Sequence, residues 1–400
     1  MVSHIVTDPK TGEKRCTCFK RCGGCQLDMR YKEQLEWKQQ KCERMLSRYC
    51  KVKPVIGMDE PYYYRNKVQT VFGRDGRGHL LRGVYQSGSG RLVATEDCML
   101  ENEVCNKAVS VFSRLMQRLR ISYYDNNTGK GIVRHLLTRY SRSTGQLMIC
   151  ICAAIPVIPS KKVLISELRK ALPELKTVVL DISTKSMPLM LGDREEILFG
   201  DGYIEDVILG KRFKVSAQSF YQVNSIQTER LYSEAVKLAD LRPTDTLIDA
   251  YCGTGTIGII CSEKAGSVIG AELNPSACRN ALQNISLNGC ENVRIVNEDA
   301  GRFMQELASK GEHIDVVITD PPRAGCDKRF LDSLCMLAPD RVVYISCKIE
   351  SLASDLAMLT HNGYKAVKIQ PVDMFPHTTG IETVALLSRC SEAKHHTVLR

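Results

Sequence analysis

TLIDAYCGTGTIGII, residues 246–260, is an apolar strand-like run that passes through a turn holding Gly253, Gly255 and Gly258 and continues into an apolar helix. Glycines in such a turn let the backbone approach a ligand closely, and the helix that follows offers free N–H groups at its N-terminus. The spacing satisfies Gly-x-Gly-x-x-Gly. Glu272 ends the next strand, 19 residues after Gly253, where a carboxylate accepts hydrogen bonds from two ribose hydroxyls. Two ligand classes fit this much. A nicotinamide dinucleotide, and with it an oxidoreductase, is one. S-adenosylmethionine is the other, favoured by the acidic Asp249 ahead of the glycines and by Asp299 closing the third strand, where an adenine amine would be held.

Working downstream, the candidate strands TLIDAY, SVIGAEL, NVRIVNED, DVVITDPP and RVVYISC are separated by helix-like segments such as SACRNALQNISLNG and GRFMQELASKG. That alternation predicts a mostly parallel, doubly wound sheet. KAVKIQPVDMF and ETVALLSR then follow one another across a short polar loop, MFPHTTG, which closes the sheet with an antiparallel hairpin. The fourth strand ends Ile318-Thr319-Asp320-Pro321-Pro322-Arg323. Consecutive prolines fix an extended edge beyond the carboxyl ends of the strands, where open α/β sheets bind ligands. Asp320 and Arg323 place an acceptor and a cation there, the fifth strand delivers Cys347, and the hairpin delivers Glu382. Carbon 5 of a pyrimidine is too weakly nucleophilic to be methylated directly. Thiolate addition at carbon 6 creates an enolate that attacks a methyl sulfonium, after which the carbon 5 proton leaves to a base. One thiolate and one carboxylate are the minimum set for that chemistry.

Upstream, residues 56–205 alternate short strand-like runs (KVQTVFG, HLLRGVYQ, GQLMICICAAI, TVVLDIS, EILFGDG) with turns, and hold at least one helix around KKVLISELRKAL, an α+β pattern. Residues 1–55 hold a Cys-rich loop and then MRYKEQLEWKQQKCERMLSRY, a polar stretch with apolar residues at helical spacing. The expected division is therefore 1–55, 56–205 and 206–400.

Of the 400 residues 44% are hydrophobic and 25% charged, which excludes wholesale disorder. No run approaches the ~18 apolar residues of a membrane span, and the start has no secretory apolar core. A cytoplasmic location without membrane association is expected. The 18 Cys then read as core thiols, nucleophiles or ligands rather than disulfides. Cys16, Cys18, Cys22 and Cys25 fall within ten residues, a soft set suited to zinc or an iron-sulfur cluster. Cys18-x3-Cys22-x2-Cys25 also matches the three-cysteine loop of radical S-adenosylmethionine enzymes, but no series of barrel-forming β/α units follows. Residues 1–130 carry 24 Lys plus Arg against 14 Asp plus Glu, while residues 241–400 carry 16 against 19. The formal charge of +10 thus lies in the N-terminal third, the footprint of a polyanion partner.

LIDAYCGTGTIGI, ITDPPRAG, VYISCKIESLASDL and QPVDMFPHTTGIETVALL, preceded by SFYQVN at 219–224, resemble the successive motifs of the S-adenosylmethionine-dependent RNA uracil-5-methyltransferase family. Cys16-x5-Cys22-Gly-Gly-Cys25 and Asp97-Cys98-Met99-Leu100 resemble the 4Fe-4S ligands of its cluster-bearing branch. The resemblance implies a Rossmann-like C-terminal domain with Cys347 as nucleophile and Glu382 as proton acceptor. It implies cofactor contacts from Gln222, Tyr251, Thr256, Glu272, Asp299 and Asp320, and uracil contacts from Gln222, Asp320 and Arg323. It assigns Cys16, Cys22, Cys25 and Cys98 to the metal, with Cys18 as an alternative to Cys16 and zinc satisfying the same ligands. A monomer acting on 23S ribosomal RNA is expected, with the tRNA T-loop as the alternative. Two departures stand out: Lys348-Ile349 replaces the usual Asn-Pro, and Gly380 replaces a His. The small N-terminal RNA-binding barrel of some members is expected to be missing.

Overall fold

The central apolar runs after residue 245 pair into one sheet because they are buried on both faces, as parallel strands covered by helices must be, while the edge strand Val293–Val296 is only partly buried. In the computed structural model, which describes residues 4–86, 88–183 and 189–390, the chain divides into two compact units. One comprises Met1–Arg30, Glu60–Val207 and Lys214–Ser225; the other comprises Tyr31–Asp59, Ile208–Phe213 and Ile226–Arg400.

The second unit contains α1 (Tyr31–Leu46), α2 (Ser225–Ala239), β1 (Thr246–Ala250), α3 (Thr256–Cys261), β2 (Ser267–Ala271), α4 (Pro275–Leu287) and β3 (Val293–Val296). It continues with α5 (Ala300–Lys310), β4 (Val316–Thr319), α6 (Lys328–Leu337), β5 (Arg341–Ser346), α7 (Ile349–His361), β6 (Tyr364–Val372) and β7 (Glu382–Arg389). The sheet order is β3-β2-β1-β4-β5-β7-β6. β1 to β5 run parallel, and β7 is antiparallel to both β5 and β6. This is the α/β sheet with a terminal hairpin that the alternation predicts. Strand order reverses between β1 and β4, so the carboxyl ends of these neighbours open a crevice. Helices start sharply there: Asn274, with Pro275 behind it, caps α4, Asp299 caps α5, and Asp327 caps α6.

The loop between β6 and β7, polar in composition, is buried over much of its length. Met374 is 0% exposed and His377 5%. Its cover is α1, whose buried stripe is Gln34, Lys38, Cys42 and Leu46. Cys42 and Leu46 join the sheet's apolar core, while Gln34 and Lys38 meet the loop's polar groups.

The first unit is built on a mostly antiparallel seven-stranded sheet. Its strands run in the order Leu92–Ala94, Leu80–Tyr85, Lys67–Arg74, Val133–Tyr140, Leu147–Ala153, Leu175–Ile182 and Arg194–Phe199. Leu147–Ala153 and Leu175–Ile182 form its one parallel pair among the described residues, joined through the helix Lys161–Ala171. The helix Glu103–Arg118, capped by the Asn102 side chain, packs Phe112, Leu115 and Met116 into the core. Neither that helix nor the strand Val133–Tyr140 belongs to the expectations above. The strand is disguised by its charges. His135 and Arg139 are buried, and the Arg139 guanidinium donates to the carbonyls of Ala217 (3.2 Å) and Ser219 (2.5 Å). Among the described residues no helix is long and apolar enough to cross a membrane.

Candidate active site

After β1 the chain turns through Tyr251, Gly253 and Gly255 with φ of 61°, 55° and 76°. Only Tyr251 bears a side chain in this left-handed region, which is costly for it; its ring packs on Phe330 with centroids 5.5 Å apart. Gly258 is a glycine for a different reason. Its N–H donates to Asp249 Oδ2 at 2.7 Å, and a Cβ there would sit 3.1 Å from that oxygen. Burial pushes Asp249 up to about 7; the Gly258 N–H opposes this, and Asp320 and Glu272 add to it. The Glu272 carboxylate accepts the N–H groups of Gly253 (3.0 Å) and Asn274 (2.7 Å), one on each oxygen. Each oxygen keeps a lone pair for a ribose hydroxyl. Thr256 opens α3 with its hydroxyl 3.2 Å from that of Thr254. Asp299 spends one oxygen on the N–H of Arg302 at 3.0 Å.

A second group of candidate residues lies at the ends of β4, β5 and β7. The N–H of Asp320 donates to the carbonyl of Ala250 at 3.4 Å, tying the end of β4 to the end of β1. Desolvation pushes its carboxyl up to about 7. Glu382 opens β7 opposite Val372 and is 4% exposed. Burial raises it well above the ordinary carboxylate range; Asp320 raises it further and Arg323 opposes. Cys347 lies between β5 and α7 and is partly exposed. Burial raises its thiol, Glu382 and Asp320 raise it further, and the Arg323 guanidinium lowers it. One thiol, two acids and one arginine therefore share a single field. Three carboxyls are pushed upward, one at the turn (Asp249) and two at the strand edge (Asp320 and Glu382), chiefly because burial penalises their charged forms. A cationic ligand such as a sulfonium offsets that penalty.

The family model described as tRNA (uracil-5-)-methyltransferase matches residues 30–390. The chain belongs to that family. Its relatives include uncharacterized RNA methyltransferases of Halalkalibacterium halodurans, 40% identical over 97% of this chain and 86% of that protein, and of Caldanaerobacter subterraneus subsp. tengcongensis, 41% identical over 94% and 84%. The fold is that of a Pyrococcus abyssi tRNA (uracil-54, C5)-methyltransferase solved with S-adenosyl-L-homocysteine. That likeness has a TM-score of 0.78 and 23% identity, and covers 97% of this chain and 92% of that one. Membership makes the protein a methyltransferase and decides between the two readings of the glycine turn against the oxidoreductase.

After Cys347, where the resemblance leads one to expect Asn-Pro, hydroxyl groups bond the Lys348 backbone. Ser346 Oγ accepts the N–H of Lys348 (3.2 Å) and donates to its carbonyl (2.9 Å), and Ser351 Oγ donates to the same carbonyl (2.9 Å). At Gly380 a Cβ would lie 3.0 Å from the Phe375 ring, so Phe375 crowds the space a His side chain needs. The tie that sequence reasoning missed is Asp355. Its Oδ2 accepts the hydroxyl of Tyr344 (2.6 Å) and the N–H of Cys326 (2.9 Å). It thereby links the helix after Cys347 to the loop carrying Arg323. Asp355→Ala leaves both donors buried and unpaired, and should destabilise the protein by about 2–4 kcal/mol. Asp355→Asn, which keeps an oxygen, should cost less than half of that. Urea unfolding of the two variants measures the difference, and equal losses would remove Asp355 from this role.

The remaining candidates lie in the first unit. The carbonyl of Gln222 accepts from the Asn66 side chain at 3.1 Å. Cys16 ends the strand Lys14–Cys16, Cys22 ends the short helix Phe19–Cys22, and Cys25 follows three residues later. After burial, Cys22 and Cys16 raise the Cys25 thiol, and Cys25 is among the groups that raise Cys98. Cys18 is fully buried, with its sulfur donating to the Ala94 carbonyl (3.7 Å) and accepting from Arg21 (3.4 Å). All of these thiols are free. Among the described residues no group of three or more His, Cys, Asp or Glu is arranged to hold a metal ion.

Proposed function

We propose that the protein transfers the methyl group of S-adenosylmethionine to carbon 5 of a uridine in RNA through a covalent adduct at Cys347. The observation that carries this is the common field of Cys347, Glu382, Asp320 and Arg323 at the carboxyl edge beside the glycine turn. S-adenosylmethionine supplies the methyl and leaves as S-adenosylhomocysteine. Tyr251, Thr256, Glu272, Asp299 and Asp320 are the residues of this unit that would hold it.

Cys347, as thiolate, adds to carbon 6 of a uridine that has left its stack, and the pyrimidine becomes an enolate nucleophilic at carbon 5. Arg323 stabilises the charge on the carbonyl oxygens. Once carbon 5 carries the methyl, Glu382 takes the carbon 5 proton. The carbon 5–carbon 6 double bond reforms, the carbon–sulfur bond breaks, and Cys347 departs as thiolate.

Binding has a pH signature. Asp249 and Asp320, each pushed up to about 7, ionise more readily beside a cation. S-adenosylmethionine affinity should therefore rise as pH goes from about 6 to 8, with a steeper slope than that of the uncharged thioether S-adenosylhomocysteine. Calorimetry with both ligands measures this; equal slopes would refute the acid pair's part in holding the sulfonium.

Large-subunit ribosomal RNA is the address we propose, on the basic N-terminal third and the cluster-type cysteines. A tRNA T-loop uridine is the second reading, favoured by the likeness to the Pyrococcus abyssi enzyme. In cells lacking the protein, 5-methyluridine should vanish from one ribosomal position. Its loss from tRNA alone would select the second reading, and no loss from either would overturn the activity. Cys16, Cys22, Cys25 and Cys98 we assign to a 4Fe-4S cluster. The soft donor set and the coupling of Cys25 to Cys16, Cys22 and Cys98 support it. Zinc in place of iron and sulfide in anaerobically purified protein would overturn it.

A further inference from the structure

The Lys38 ammonium and the Asp373 carboxylate are both 0% exposed and lie 2.5 Å apart. Burying such a pair costs at least as much as it returns, and an apolar pair of the same volume would stabilise α1 as well or better. The pair therefore needs a reason beyond stability. Asp373 directly follows β6 and begins the loop that ends at Glu382.

Four polar groups of that loop terminate on α1. Lys38 Nζ donates to Asp373 Oδ1 and to the Phe375 carbonyl at 3.1 Å. The Tyr31 hydroxyl donates to Asp373 Oδ2 at 2.8 Å and accepts the Met58 N–H at 2.8 Å. Gln34 Oε1 accepts the His377 N–H at 2.8 Å, and its Nε2 lies 3.1 Å from His377 Nδ1. His377 holds a φ of 66°, a value a non-glycine residue keeps only when its surroundings over-determine it. Beyond it, the Thr378 hydroxyl donates to the Phe375 carbonyl (2.9 Å) and accepts the Gly380 N–H (3.2 Å). From α1 to Gly380 the loop's polar groups are tied in sequence, and two residues later Glu382 opens β7 opposite Val372. A buried polar network satisfied in this way selects one conformation.

We propose that Gln34 and Lys38 are positioning residues for the proton-removal step: they fix the β6–β7 loop so that the Glu382 carboxylate meets the carbon 5 hydrogen. This rests on the reading of Glu382 as proton acceptor. Displacing the carboxylate by about 1 Å should slow its own step by roughly 10- to 100-fold and leave earlier steps nearly untouched.

The test compares Gln34→Leu and the double variant Lys38→Met with Asp373→Asn, which removes both buried charges. Lys41→Met, off the buried stripe of α1, where the half-buried Lys41 pairs with Glu350 at 3.4 Å, is the control. Turnover should fall about 10- to 100-fold in both test variants, with KM for S-adenosylmethionine and RNA within about two-fold. Methylated protein–RNA adduct should accumulate, and RNA deuterated at carbon 5 of the target should show a primary isotope effect on turnover that the parent lacks. Gln34→Glu, which keeps an oxygen for the His377 N–H, should recover most of the rate. A lower melting temperature without adduct accumulation or isotope effect would overturn the proposal, since a merely structural role moves neither. Gln34→Leu buries no unpaired charge and keeps the test readable if the double variant does not fold. Full turnover by Glu382→Gln would instead overturn the reading of Glu382.

Discussion

Cys347→Ala should stop methyl transfer, with turnover reduced roughly 10⁴-fold or more, the scale expected when a covalent nucleophile is lost. Without addition at carbon 6 there is no enolate, and carbon 5 of uracil does not attack the sulfonium. The substitution should leave the fold intact, because Cys347 is partly exposed and lies between β5 and α7 rather than in the sheet core. S-adenosylhomocysteine affinity should stay within about two-fold, since the glycine turn is held by Asp249 and Glu272. Transfer from labelled S-adenosylmethionine to RNA, with calorimetry on the same preparation, checks both halves. Methylation by the Ala variant at the parent rate would eliminate the covalent route.

The same residues mark how far the fold was legible. β1, β2, β4 and β5 were readable because parallel strands buried on both faces are largely apolar runs, and the glycine turn because its φ values admit few other residues. Strand Val133–Tyr140 was not, because two arginines and a histidine break its apolar run and the carbonyls that receive Arg139 lie about 80 residues along the chain. Chemistry-bearing side chains stood at strand ends, where one-dimensional pattern and three-dimensional position coincide. The groups that hold them in place did not. Asp355 and the Gln34–Lys38 stripe act across separations that no local pattern records. The one available signal was the spacing of Gln34, Lys38, Cys42 and Leu46, four residues apart on one helix face, which composition disguised as a solvated stripe.

Glu382→Gln should separate the two halves of the reaction. Gln keeps the shape of the carboxylate and removes its basicity, so Cys347 can still add and carbon 5 can still be methylated, but the carbon 5 proton stays. The expected result is a methylated protein–RNA adduct that survives denaturation and forms once per active site, while free product falls by roughly 10²–10⁴-fold. In the parent enzyme the step needs the ionised carboxylate. Burial and Asp320 raise Glu382 well above the ordinary range, so product release should slow on acidification at a higher pH than a solvent-exposed glutamate would dictate. The sign for stability is opposite. A carboxyl raised by folding binds its proton more tightly in the native state, so stability falls as pH rises above the unfolded value of about 4.3. Gln removes that loss, and the variant should melt at a higher temperature than the parent at neutral pH and at nearly the same temperature at about pH 4. Gel analysis of the adduct and melting curves at the two pH values test this pairing of a stalled reaction with a stabilised fold. Free turnover without adduct would assign the proton to another base, and a variant less stable than the parent at neutral pH would show that the buried carboxylate is held by more than its neighbours' charge.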